Sequence, residues 1–189
     1  MTSKEKTLLL PVPPEKPLVA VNSNDEEIII FRDKDELHKS GLRHRSSHVL
    51  IESFGGGFML QKKVRSTKNA GKWSSSASGH VRCGETYKDA AIREVKGDLG
   101  IAIIEEDFAK ITKVQPCKET GNEFITLYSY LIDDSEIIDL NVGEVDSIIT
   151  CSLKEIVEDI SLNRDRYSPT FIYLLNIYLS LEGWIYDKA

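Results

Sequence analysis

The sequence predicts one α/β domain in which helices cover both faces of a sheet. Strand-like and helix-like segments are interspersed along all 189 residues, the order that layered α/β folds show. Segments such as NEFITLYSYLI alternate with a period of two, whereas other stretches open on a capping residue, close on glycine, or both, as helices do. The length suits a single sizeable core, and no internal repeat or second domain is visible.

In order, residues 1–17 are rich in lysine and proline and read as a mobile leader, with one domain over 18–189. PLVAVN and EEIIIFR are short strands around the Asn-Ser-Asn-Asp turn at 22–25. Asp33 caps a short helix that ends at Ser40-Gly41. SSHVLIES and GFMLQKK form a hairpin across Gly55-Gly56-Gly57, followed by the basic loop KKVRSTKNAGKW. A helix then runs up to or through Gly97, and AKITKVQP, NEFITLYSYLI and DSIITC are further strands. Ser152 and Glu155 make a capping box for SLKEIVEDI, and Ser168-Pro169 starts a last apolar helix that Gly183 ends. That helix is suited either to internal packing or to a homodimer contact.

Composition narrows the function. A net charge of -6 gives no global attraction to a nucleic-acid polymer or an anionic membrane. A phosphate-bearing ligand must be caught by a local basic patch. Cys83, Cys117 and Cys151 have no C-x-x-C spacing, which fits buried thiols in a reducing, cytoplasmic setting. No apolar run approaches the ~20 residues that span a bilayer.

The stretch from Gly79 to Ile101 carries the chemistry. Glu94 and Asp98 are four apart, so a helix points both the same way. Two such acids repel unless something positive lies between them, and a hard divalent cation is the usual occupant. Arg93, with Glu85 two turns earlier, is placed to hold the acidic face through a charge-assisted pair.

Gly79, five residues, Glu85, seven residues, Arg93-Glu94-Val95 and closing Gly100-Ile101 resemble the Nudix box, G-x5-E-x7-R-E-U-x-E-E-x-G-U. Two box glutamates fall on Gly97, which has no carboxylate, and on Asp98. The resemblance implies a Nudix-type α/β/α sandwich with a mixed central sheet. It assigns Glu94 and Asp98 to Mg2+ or Mn2+ with Glu85 in support, and gives Arg93 the task of orienting the acidic face. It puts the general base outside the box, where Glu144 and Glu123 are candidates; both are also ordinary positions for a loop or strand-edge acid. Lys62, Lys63, Arg65, Lys68 and Lys72 precede Trp73 and three serines. These are suited to hold a phosphate and stack on a base, or to form a solvated loop.

The wider pattern, including Gly143-Glu144-Val145 and Y-S-P-T at 167–170, is similar to the isopentenyl-diphosphate-isomerase-like branch of that superfamily. Those isomerases bind a divalent metal through two early histidines and one in a Gly-His pair. His38, His44 and His80 stand at such positions here, although packing groups are the plainer expectation for them and for His48. The isomerase cysteine before Gly-His is Ser78, and its two glutamates fall on Gly121 and Glu123. A serine is a far weaker acid and nucleophile than a thiol. The expected activity is therefore metal-dependent hydrolysis of a diphosphate linkage in a nucleotide or nucleotide-like small molecule. The alternatives are a module that binds a phosphorylated ligand or partner without turnover and, behind it, the isomerase.

Overall fold

The computed structural model describes residues 16–64 and 69–183. Its strands are β1 Leu18–Val21, β2 Glu27–Phe31, β3 His44–Ser53, β4 Gly57–Lys63, β5 Ala77–His80, β6 Phe108–Val114, β7 Glu123–Ile132 and β8 Val145–Ser152. Its helices are α1 Lys34–Ser40, α2 Tyr87–Leu99, α3 Leu153–Leu162 and α4 Pro169–Leu181. Most of the leader, Arg65 and Lys68 lie outside the described residues, but Pro17 is tied into the domain by accepting a bond from Cys83 N (2.7 Å).

The central sheet has six strands in the order β6-β7-β3-β4-β8, with β5 beside β3. Only β3 and β7 run parallel; the other pairs are antiparallel. Strand alternation sends Val49 and Ile51 to one face and Leu50 to the other. On the first face, Val49, Ile51, Met59, Tyr128 and Tyr130 pack against Ala91, Val95 and Leu99 of α2. On the opposite face, Leu50, Leu60, Ile125 and Leu127 meet Ile156 of α3 and Phe171, Leu174 and Leu175 of α4. Each such fully buried side chain contributes roughly 1.5–3 kcal/mol. Helices therefore cover both faces of a mixed sheet, and the apolar side of α4 is used within the chain.

Local chemistry sets the helix ends. Asp33 accepts from Asp35 N and Glu36 N at the start of α1, and Gly41 ends it in the left-handed region (φ 66°). Capping boxes start α2 (Thr86 with Asp89) and α3 (Ser152 with Glu155), and Ser168 caps α4. The β1–β2 hairpin is pinned to the sheet at Asp25, which accepts from Arg45 Nε (2.6 Å), Tyr87 OH (2.8 Å) and Lys113.

Two details differ from the sequence reading, and a third decides between its alternatives. The stretch SSSASGHV between the basic loop and the box helix carries no strand signal, yet Ala77–His80 is a strand, because β3 offers it an unpaired edge over Ser46–Val49. Of the two ends the sequence allows, helix α2 takes the later one, running through Gly97 to Gly100 (φ 71°), helped by Asn141, whose Nδ2 donates to Gly97 O (3.1 Å). The cysteines, expected to be buried, are part-exposed and free: Cys83 and Cys117 stand in connections and Cys151 on the outermost strand. No described helix is long and apolar enough to cross a membrane.

Candidate active site

Strand direction brings four distant residues to one end of the sheet. Because β3 and β7 are parallel, their first residues, His44 and Glu123, are register partners. Strand β5 runs the other way along β3, so its last residue, His80, pairs with Ser46. Helix α1 supplies His38. The ligand atoms of His38, His44, His80 and Glu123 all lie within 4.8 Å of one another. The three imidazole rings are mutually 5.0–5.2 Å apart by centroid.

The protonation pattern suits ligation. His44 Nδ1 faces Leu42 O at 3.0 Å, and a carbonyl only accepts, so Nδ1 carries the hydrogen and Nε2 presents its lone pair. That Nε2 is buried without a hydrogen-bond partner, 3.4 Å from Glu123 Oε1. His38 Nε2 and His80 Nε2 face each other at 3.0 Å. Two such nitrogens need a shared proton or a metal ion between their lone pairs. Burial pushes the His80 imidazole down to about 3, so it is neutral near pH 7. Burial alone would raise the Glu123 carboxyl; it is held far below the carboxylate range only while positive charge, a proton on His44 first and on His80 next, stands beside it. Three imidazoles and an ionised carboxylate fit a divalent transition-type ion.

A cavity of about 260 Å³ adjoins this cluster, lined also by Lys34, His48, Lys63, Lys72, Ser78 and Glu144. Lys34 and Lys72 bring local positive charge that the whole chain lacks, while the third ammonium, that of Lys63, faces Glu94 and Asp98. His48 sits against Ser75 Oγ (Nδ1, 2.9 Å), and burial pushes its imidazole down to about 4. It therefore meets a ligand as a neutral hydrogen-bonding group.

On α2, Arg93 grips Glu85 with both ends of its guanidinium, Nε to Oε1 and Nη2 to Oε2, each 2.9 Å. It also donates to His80 O (2.9 Å) and to Glu94. Arg93 thus ties the box helix to the strand that carries His80. Glu94 packs over Gly79, where a Cβ would lie 2.0 Å from Oε1. Between Glu94 and Asp98 stands the ammonium of Lys63, 3.5 Å from Glu94 Oε2 and 3.3 Å from Asp98 Oδ2. The positive charge expected between the two acids is there, and it belongs to the chain.

The predicted residues divide accordingly. Glu123, Glu144, Lys63 and Lys72 line the cavity. Glu94, Asp98 and Arg93 border a second hollow that shares Lys34, Lys63, Gly79, His80 and Glu144 with the first. Glu85 is held by Arg93. Lys62 and Lys63, read as one patch, point to opposite sides of β4. Lys62 Nζ lies 4.3 Å from the centre of the Trp73 ring, and Trp73 is a core residue, 5% exposed, with little face left for a ligand. Lys34, within a capped helix, was not singled out, and its type and spacing carried no signal. The histidines were noticed, but only folding shows that they converge.

The fold is a layered α/β domain with a cavity, lined in part by lysines, beside a metal-competent cluster. The NUDIX domain model matches residues 42–171, so the chain belongs to the NUDIX family. Isopentenyl-diphosphate Delta-isomerase 2 of Photorhabdus laumondii is 34% identical over 173 residues, covering 88% of this chain and 96% of that one. An uncharacterized Nudix hydrolase of Yersinia pestis is 24% identical over 163 residues, with 86% and 85% covered. The crystal structure of DR0079 from Deinococcus radiodurans superposes with a TM-score of 0.73 at 18% identity, covering 86% of this chain and 98% of that one. That likeness speaks for the fold.

Proposed function

We propose that the chain is a metal-dependent Nudix hydrolase that splits a diphosphate linkage in a nucleotide or nucleotide-like substrate. The observation that carries this reading is the basic cavity opening onto His38, His44, His80 and Glu123. The sequence resemblance would put the ion on Glu94, Asp98 and Glu85. The four-residue cluster answers to it better, because its donors face one another while the box acids are already engaged by Lys63 and Arg93. Both ions expected favour oxygen donors; Mn2+, a first-row transition ion, accepts imidazole nitrogen more readily than Mg2+, which keeps to all-oxygen octahedra. Such an ion supplies Lewis acidity toward a phosphate oxygen.

The chain's own groups do the rest. Lys34 and Lys72 bind and orient the diphosphate as point charges. Glu144, exposed at the rim of the cavity, takes the proton of the attacking water as a P–O–P bond opens. The test is a hydrolysis screen over nucleoside diphosphates, nucleoside diphosphate sugars, dinucleotides and thiamine diphosphate, with and without Mn2+. Metal-dependent cleavage of one class that Glu123→Gln abolishes is the expected result. No cleavage by a folded, Mn2+-loaded chain overturns it, and a raised melting temperature with an uncleaved diphosphate turns the reading to a binding module.

The histidine cluster favours a second reading, isomerisation of isopentenyl diphosphate, the reaction named for the Photorhabdus relative. Ser78 lines the cavity where the isomerase resemblance has a thiol, and a serine hydroxyl is a poor proton donor to carbon. Deuterium exchange from solvent into isopentenyl diphosphate, followed by NMR, separates the two.

A further inference from the structure

We propose that Lys63 replaces, within the chain, the divalent cation that the acids of the box helix would otherwise recruit. Glu94, Asp98 and Lys63 then form a closed ion triad, and metal uptake falls to the histidine cluster. The inference rests on the proposed reading only for where the metal goes; the triad stands on its own contacts.

The placement follows from strand alternation. Met59, Gln61 and Lys63 are alternate residues of β4, and all three turn to the face that α2 covers. The register of β4 against β8 shifts between Lys62 and Lys63, from Ser147 to Val145, at the strand end nearest the cavity. An ammonium has three hydrogens to donate. Lys63 Nζ donates to Ser78 O and stands 3.5 Å from Glu94 Oε2 and 3.3 Å from Asp98 Oδ2. Asp98, 3% exposed, also accepts from Gln61 Nε2 (3.2 Å).

The oxygens on which a box-bound ion would depend are therefore committed. A hard cation such as Mg2+ takes six oxygen ligands. Here the two helix acids converge on Lys63, the third acid is missing at Gly97, and Glu85 is held from both ends by Arg93. A divalent ion set between Glu94 and Asp98 would meet the Lys63 ammonium at close range in a part-buried setting, where like charges are poorly screened. As folded, the box residues do not fit the ion that their resemblance implies.

The experiment counts bound Mn2+ from the EPR signal of the free ion in the full-length chain. The wild type is expected to bind one ion that His44→Ala removes and Glu94→Gln leaves in place. Lys63→Met, and alongside it the hydrogen-bonding Lys63→Gln, should bind one further ion that a second change, Glu94→Gln, removes. Near-UV circular dichroism shows which of the two Lys63 variants is folded. Loss of the wild-type ion on Glu94→Gln overturns the proposal, and so does a folded Lys63 variant with no added ion. A wild type in which His44→Ala changes nothing sinks the cluster as the metal centre, while the Lys63 variants still report on the triad.

Discussion

His38 Nε2 lies 3.0 Å from His80 Nε2, although 42 residues separate them in sequence and one stands on a helix and the other at a strand end. With His44 and Glu123 they form the cluster proposed above to hold a divalent ion, a site that the folded state alone assembles. Such a ligand at one hundred times its Kd adds about 2.7 kcal/mol, roughly 5–10 °C in Tm for a chain of this size. Mn2+ should raise the Tm accordingly, and His80→Ala should remove the shift. Calorimetry with and without Mn2+ measures both; a shift that survives His80→Ala would place the ion elsewhere.

Arg93 should matter to stability more than a surface cation does. The Glu85 side chain is 11% exposed and that of Arg93 25%, and removing one partner of a buried pair costs 3–5 kcal/mol. Discounted for its partial exposure, Arg93→Met should cost about 2–4 kcal/mol in urea unfolding at pH 7. Burial alone would raise the Glu85 carboxyl, but Arg93 and the backbone N–H of Arg82 lower it below its usual value. A lowered carboxyl stabilises above its unfolded pKa of about 4.3, and that share is lost as pH falls through the folded value. The gap between wild type and Arg93→Met should therefore narrow from pH 5 toward pH 3, and a constant gap would argue for packing alone.

Gly79→Ala separates stability from function. The new Cβ would fall 2.0 Å from Glu94 Oε1, the far end of a flexible side chain that is able to swing away. The fold should lose under about 1.5 kcal/mol, within the usual range for a small added group, while Glu94 leaves Lys63 and Arg93. Lys63, which lines the cavity, then loses a partner and shifts, so the hydrolytic rate on the substrate found by screening should drop at least tenfold, with a Tm lowered by no more than roughly 3–6 °C. A variant as active as the wild type would show that Glu94 need not sit where it does.

Position 97 offers the opposite case. A Cβ on Gly97 would meet nothing within 4 Å, and the residue lies inside α2, so Gly97→Ala should stabilise by roughly 0.5–1 kcal/mol. Gly97→Glu restores the family's carboxylate. With Lys63 already between the acids, the rate should stay within about twofold of wild type; a large gain would show that the box lacks only an acid.

How much of this was legible in the sequence depends on the range of the interaction. Asp33, Ser152, Ser168, Gly41 and Gly100 mark helix ends through bonds to neighbours a few residues away, so their roles can be read along the chain. Arg93 and Glu85, eight apart on either side of the α2 start, could be read in the same way. Trp73 could not, because whether an indole faces a ligand or the core depends on what α3, α4 and their neighbours bring over it. Strand β5 was missed because its sequence, ASGH, has low strand propensity and forms on an edge supplied by β3.

By itself the sequence determined the family pattern, the elements other than β5 and the charges on the box helix, since these rest on fixed spacings and local hydrogen bonds. Only the tertiary structure decided which cations and donors meet. The parallel pairing of β3 with β7 sets His44 beside Glu123, and the alternation of β4 turns Lys63 inward to Glu94 and Asp98. Coulomb and ligand interactions act over a few ångströms of space, and separation along the chain says nothing about that distance until the sheet has formed.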